Sequence, residues 1–210
     1  MSPVIVIDHP VLAHRVAALR AADTDRDTFR QLVAEISAFL AYEAMRDLGT
    51  TAVRVDTPVM VAAPARRVTE TVLVVPILRA GLGMVQAIGE VVPLTEVAHV
   101  GLRRHEATLQ SEVYLNRLPR DLTGRRVIVC DPMLATGGSL AKVCTLVLER
   151  GAAQVVALCL IASAPGAAAF AAVHPQIDVI CAALDPELNE MGYIVPGLGD
   201  AGDRLFGPPD

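Results

Sequence analysis

An aspartate, two adjacent glycines and two hydroxyl side chains fall within the nine residues D-P-M-L-A-T-G-G-S, positions 131–139. The apolar run Val127-Ile128-Val129-Cys130 precedes them and suits a strand buried on both faces. Asp131 therefore stands at the carboxyl end of a strand. Leu140, Val143, Cys144, Val147 and Leu148 follow at helical spacing as far as Gly151. A helix start leaves its first N–H groups unpartnered and carries partial positive charge. Gly137 and Gly138 let a phosphate approach that backbone, and Thr136 and Ser139 add hydroxyl donors. The stretch spells a carboxylate for sugar hydroxyls or a metal, beside a cradle for a phosphate.

A second strand–turn–helix unit repeats the pattern with the opposite charge. The run V-L-V-V-P-I-L ends at Leu78, Arg79-Ala80-Gly81-Leu82-Gly83 follows, and a helix is predicted over residues 84–92. An arginine at a strand end, with glycines that admit close approach, suits an anion such as diphosphate. An ordinary turn with a solvated arginine has the same spelling. Near the carboxyl terminus, G-L-G-D-A-G at 197–202 matches G-x-G-x-x-G. A dinucleotide site is rejected there, because Pro196 interrupts the approach and too little chain remains for a second strand. The better reading is a loop that bares main chain: Gly197 and Gly199 offer N–H and C=O groups to a small planar ligand, beside the apolar edge of Ile194. A glycine-rich terminal turn is the bland alternative.

Residues 103–120 are polar without helical period, and a connection of that length in a compact domain is usually functional. A mobile hairpin arm or site cover is expected, with Arg104 reaching a phosphate on closure. His105 reads as a solvated loop histidine, and His9 and His14 as surface or capping residues.

The elements that must position these groups alternate. A short apolar run at 4–7 precedes a helix at 11–20 and a long amphipathic helix at 28–48 ended by Gly49. Extended pieces at 51–70 are broken by Pro58 and Pro64. Further strands are predicted at 71–78, 96–102, 152–162 and 177–183, with an alanine-rich helix at 165–173. The order argues an α/β fold with a mainly parallel sheet flanked by helices. Ligands bind beyond the carboxyl ends of such strands, which makes Arg79 and Asp131 parts of one site. The 210 residues suit one domain, and a 53% hydrophobic composition leaves apolar surface for a subunit interface. The net charge of −5 disfavours a nucleic-acid binder. The four scattered cysteines fit no zinc spacing and read as reduced core residues. With no signal peptide and no membrane-length apolar run, a cytoplasmic protein is expected.

Four stretches carry a family resemblance: P-I-L-R-A-G-L-G-M at 76–84, the arm at 101–119, D-P-M-L-A-T-G-G-S at 131–139, and G-Y-I-V-P-G-L-G-D-A-G-D-R-L-F-G at 192–207. Together with His9-Pro10 and L-A-Y-E-A-M-R-D-L at 40–48, they resemble the uracil phosphoribosyltransferases within the type I phosphoribosyltransferase fold. The resemblance implies a pentosyltransferase that makes UMP and diphosphate from uracil and 5-phospho-α-D-ribose 1-diphosphate (PRPP). It implies a parallel-sheet domain with a hairpin arm at 103–120 and a base-binding hood at 184–210. Arg79, Arg104 and Asp131 would be catalytic. PRPP would lie on those three and on Pro132, Met133, Leu134, Ala135, Thr136, Gly137, Gly138, Ser139 and Asp200. Uracil would be read by Ile194, Gly199, Asp200 and Ala201, with Tyr193 bordering its C5. Where the wider fold class often has two adjacent acids, Cys130 stands before Asp131, so Mg2+ would arrive with PRPP instead of at a dedicated protein site. A dimer or tetramer is implied, and GTP is an activator in some relatives. A cis peptide is expected within residues 79–81. The rivals are an RNA-binding regulator on the same fold, disfavoured by the acidic charge, and a dehydrogenase, disfavoured by the misplaced glycine motif.

Overall fold

The structure, a computed structural model, describes residues 4–104 and 111–208, with main chain alone at Arg104 and Ser111. The chain runs β1 (Val4–Val6), α1 (Pro10–Arg20), α2 (Arg26–Ala44), β2 (Thr50–Val55), β3 (Ala63–Val68), β4 (Val72–Leu78) and α3 (Leu82–Val91). It continues through β5 (Thr95–Val97), β6 (Val100–Arg104), β7 (Ser111–Asn116), β8 (Arg126–Cys130), β9 (Met133–Leu134) and α4 (Gly138–Leu148). It ends with β10 (Gln154–Ser163), α5 (Ala164–Val173), β11 (Asp178–Asp185), β12 (Glu187–Leu188), β13 (Ile194–Val195) and α6 (Ala201–Phe206).

The main sheet has the order β1-β11-β10-β8-β4-β6-β7, with β5 beside β4 and β9 beside β10. Every pairing in it is parallel except β6 with β7. Alternation along each strand divides the core. Val72, Val74, Ile128 and Cys130 pack toward α1, α2, α3 and α6. Leu73, Val75, Val127 and Val129 pack toward α4 and α5. Burial on both faces explains why these strands read as unbroken apolar runs. All four cysteines are free and buried, and burial pushes the Cys144 and Cys181 thiols up to about 12. Among the described residues no helix is long and apolar enough to cross a membrane.

Three expectations need correction. The helix predicted to reach Gly49 stops at Ala44. Its last turn tightens, with Arg46 N–H donating to Glu43 O and Leu48 N–H to Met45 O. That turn delivers Asp47 to the buried guanidinium of Arg126, at 2.7 Å. The pieces at 51–70 form one antiparallel hairpin, β2–β3, off the main sheet, and Pro64 sits inside its second strand opposite Arg54. Pro is tolerated there because a two-stranded ribbon leaves edge positions that need no donor. The strand predicted at 96–102 divides into β5 and β6. The arm does begin as a hairpin, β6 against β7 with a register shift at Gly101 and Leu102. His105 lies outside the described residues.

Candidate active site

Asp131 follows directly on the last residue of β8. Its N–H still donates to Leu158 O at 3.1 Å, and Pro132 O accepts from both Leu160 and Ile161 on β10. Pro132 and Leu134 are buried, and these two positions anchor the turn. Met133 and Leu134 add a short parallel pairing to Ile161 and Ala162. Gly137 then takes a left-handed conformation, φ 83°, and starts α4 without any side-chain cap. No neighbour would meet a Cβ on Gly138, so that side of the turn is open. A helix start without a side-chain cap, with clear approach at Gly138, suits an anion.

The loop after β4 is pressed against the same turn. A Cβ on Gly81 would lie 2.6 Å from Cys130 O and 2.7 Å from Ile77 O, so no larger residue fits. Gly81 has ordinary helical dihedrals, and the glycine is needed for space. The cis peptide is Leu78–Arg79, one bond before the expected 79–81 segment, and Val195–Pro196 is cis as well. The half-exposed Arg79 guanidinium lies 3.6 Å from Asp203 of α6. Arg104 ends β6, and its side chain lies outside the described residues.

The tail is fastened from beneath by arginines that the sequence reading overlooked. Arg20, at the end of α1, makes a bidentate pair with buried Asp185, at 2.7 and 2.6 Å, and donates to Gly197 O at 2.7 Å. Gly197 N–H donates to Asp185 at 2.9 Å. Both main-chain groups of Gly197 are therefore taken, which corrects the expectation that they stand open. Gly199, by contrast, has φ 82° and is exposed. Arg204 donates to Leu19, Ala21 and Leu198 carbonyls and lies 4.2 Å over the Phe29 ring. Asp200 caps α6 by accepting from Asp203 N–H at 3.0 Å. The signal for the clamp was present: Asp185 closes an apolar strand run, as Asp131 does.

These segments meet in one pocket of about 370 Å³, lined by Ala80, Asp131, Met133, Ala135, residues 191–194 and residues 199–202. It thus joins Asp131, Met133 and Ala135 to Ile194, Gly199, Asp200 and Ala201, with Tyr193 at its border. Thr136, Gly138 and Ser139 continue the turn beyond it, and Gly137 is buried against α5. Among the described residues Asp131 forms no ion pair. Burial pushes its carboxyl up to about 7, and the Asp200 charge adds to this against an N–H bond from Met133. Two acids that repel across a pocket invite a cation or a cluster of hydroxyl donors. Among the described residues no group of three or more His, Cys, Asp or Glu could hold a metal. A donor set of one or two carboxylates fits Mg2+ that brings phosphate oxygens as its remaining ligands.

The geometry agrees with what the chain is similar to. The family model described as uracil phosphoribosyltransferase matches residues 6–208. The uracil phosphoribosyltransferase of Kineococcus radiotolerans is 52% identical over 205 residues, covering 96% of this chain and 97% of that protein. That of Symbiobacterium thermophilum is 50% identical and covers 99% of both. The solved AQ2163 protein of Aquifex aeolicus superposes with a TM-score of 0.89 at 35% identity, over 98% of both chains. A hypoxanthine phosphoribosyltransferase from Trypanosoma cruzi shares the fold alone, with a TM-score of 0.53 at 11% identity over 76% of this chain and 75% of that one. A shared pocket of three remote loops, a phosphate-ready helix start and likeness along nearly the whole chain lead to one assignment: the chain belongs to the uracil phosphoribosyltransferase family.

Proposed function

We propose that the protein transfers the 5-phosphoribosyl group of PRPP to N1 of uracil, giving UMP and diphosphate. Arg79, with the Ala80 and Gly81 main chain, holds the diphosphate, and Arg104 closes over it. Asp131 takes the ribose hydroxyls, and residues 135–139 take the 5-phosphate. Ile194, Gly199 and Ala201 read the base through main chain, with Asp200 facing the ribosyl donor. Displacement at C1 builds positive character on the ribose and negative charge on the departing diphosphate. Fixed positive charge at the diphosphate is therefore the largest service, and alignment of the base below C1 provides most of the rest. Mg2+ carried on PRPP, when bound, neutralises the leaving group.

The observation that carries this reading is the single pocket joining Asp131, Ala80 and the tail. A test follows UMP from labelled uracil and PRPP with Mg2+, using cytosine, hypoxanthine and orotate as controls. UMP formed from uracil alone supports the assignment, and no UMP, or turnover of a control base, removes it.

Tyr193 borders the pocket beside Ile194. Thymine should be used with kcat/KM at least about tenfold below uracil, since a hydrophobic wall rejects one misplaced methyl by roughly 1–3 kcal/mol. Tyr193→Ala should narrow that gap. Equal use of both bases by the unaltered enzyme contradicts the placement.

We also propose that a second copy covers the β2–β3 hairpin. Its tip carries Val59 and Val61 at 96% and 77% exposure, and Met60 is exposed between them. Contiguous apolar surface at a projecting tip marks an interaction site. Val59→Asp with Val61→Asp should reduce the mass in solution measured by light scattering. An unchanged mass places the interface elsewhere.

A further inference from the structure

Ser163 carries a role that none of the site residues above includes. It is the last residue of β10 and the N-cap of α5, and it is fully buried. Its hydroxyl lies 2.6 Å from Ala135 O and 2.9 Å from Gly166 N. An amide can only donate and a carbonyl can only accept, so the Ser163 proton must point at Ala135 O. The fit around this bond is tight. A Cβ on Gly166 would collide with Ala135 O, and a Cβ on Gly137 would lie 2.8 Å from Gly166 O. The first turn of α5 and the turn before α4 are thus in direct main-chain contact.

The Ala135–Thr136 peptide is not among the cis bonds. In a planar trans unit the C=O and N–H point in opposite directions. Pinning the carbonyl of Ala135 toward Ser163 therefore turns the N–H of Thr136 away from Ser163. We propose that Ser163 is a positioning residue for phosphate binding, which aims the Thr136 N–H at the 5-phosphate by holding the far end of the same peptide. It touches no substrate. Its effect passes through one peptide plane, and loss of the hydroxyl removes the donor that holds Ala135 O.

This inference rests on the reading that residues 135–139 hold the 5-phosphate. The test compares two ligands of the purified enzyme by calorimetry: ribose 5-phosphate, which reports on that turn, and Mg-diphosphate, which reports on the Arg79 loop. In Ser163→Ala the Kd for ribose 5-phosphate should rise about tenfold, the usual loss for one charge-assisted hydrogen bond. The Kd for diphosphate should stay within about twofold. In steady state KM for PRPP should rise more than kcat falls. Ser163→Thr keeps the hydroxyl and should restore affinity. Unchanged ribose 5-phosphate binding, or equal weakening of both ligands, overturns the proposal. If Ser163→Ala does not fold, Ser163→Cys, which keeps the shape of the side chain but only a weak donor, decides by the same two titrations. Failure of the unaltered enzyme to bind ribose 5-phosphate would instead reject the phosphate assignment on which the inference rests.

Discussion

Asp131→Asn should lower kcat/KM for UMP formation by about 10²–10³-fold, the effect of removing one preorganised polar group from a site of charge development. The same change should make the unliganded protein more stable. Burial holds the folded carboxyl at about 7 against an ordinary value of 3.8. Between those values the folded state holds a proton that the unfolded state has lost, so stability falls as pH rises. The protonated acid's contribution is whole below 3.8 and is gone once pH has passed about 7. Asparagine stays neutral throughout, so its advantage is largest above pH 7 and fades toward pH 4. For a partly accessible group the gain is of order 1 kcal/mol. That corresponds to about 2–4 °C in Tm for a domain of this size. Melts of both proteins at pH 8 and pH 5, with kinetics at pH 8, check the pair of effects. Near-normal turnover would show that the carboxylate is not needed at the sugar. A variant that melts lower at pH 8 would show that Asp131 is not strained by burial.

Arg20→Met should loosen the hood. Asp185 is buried, and without the guanidinium its charge retains only the Gly197 N–H as a partner. Removing one member of a buried pair costs about 3–5 kcal/mol, because the other charge is stranded. A fall of roughly 6–20 °C in Tm is expected. Gly197 also loses the donor that holds its carbonyl, and the adjoining segment that faces the pocket shifts with it. KM for uracil should therefore rise at least about tenfold, with KM for PRPP less affected. Arg20→Met combined with Asp185→Asn removes both charges and should recover part of the lost stability, a coupling that the double-mutant cycle measures. Equal losses in KM for both substrates would indicate general loosening rather than a clamp specific to the base.

The sheet was legible because burial on both faces writes itself as apolar runs, and Val127-Ile128-Val129-Cys130 or V-L-V-V-P-I-L admit few other readings. The strand-end charges Asp131 and Arg79 were legible for the same reason, as polar residues abruptly ending such runs. What stayed hidden depends on pairings between distant segments. Arg20 and Asp185 are separated by 165 positions and look like an ordinary helix-end arginine and strand-end acid until the fold joins them. Gly197 and Gly199 look equivalent in the sequence, yet the first is consumed by that clamp and the second remains exposed. The helix expected to end at Gly49 shows the same limit. Its apolar spacing continues past Ala44, and the chain leaves it where Asp47 meets Arg126, 79 residues away.

The convergence of three loops on one ligand is tested most directly by an experimental structure with UMP bound. The phosphate should lie on the N–H groups of residues 136–139, the ribose hydroxyls against Asp131, and the pyrimidine against the main chain of Ile194, Gly199 and Ala201. A nucleotide whose base lies away from the tail, or whose phosphate sits at Arg79 instead of the start of α4, would contradict that arrangement.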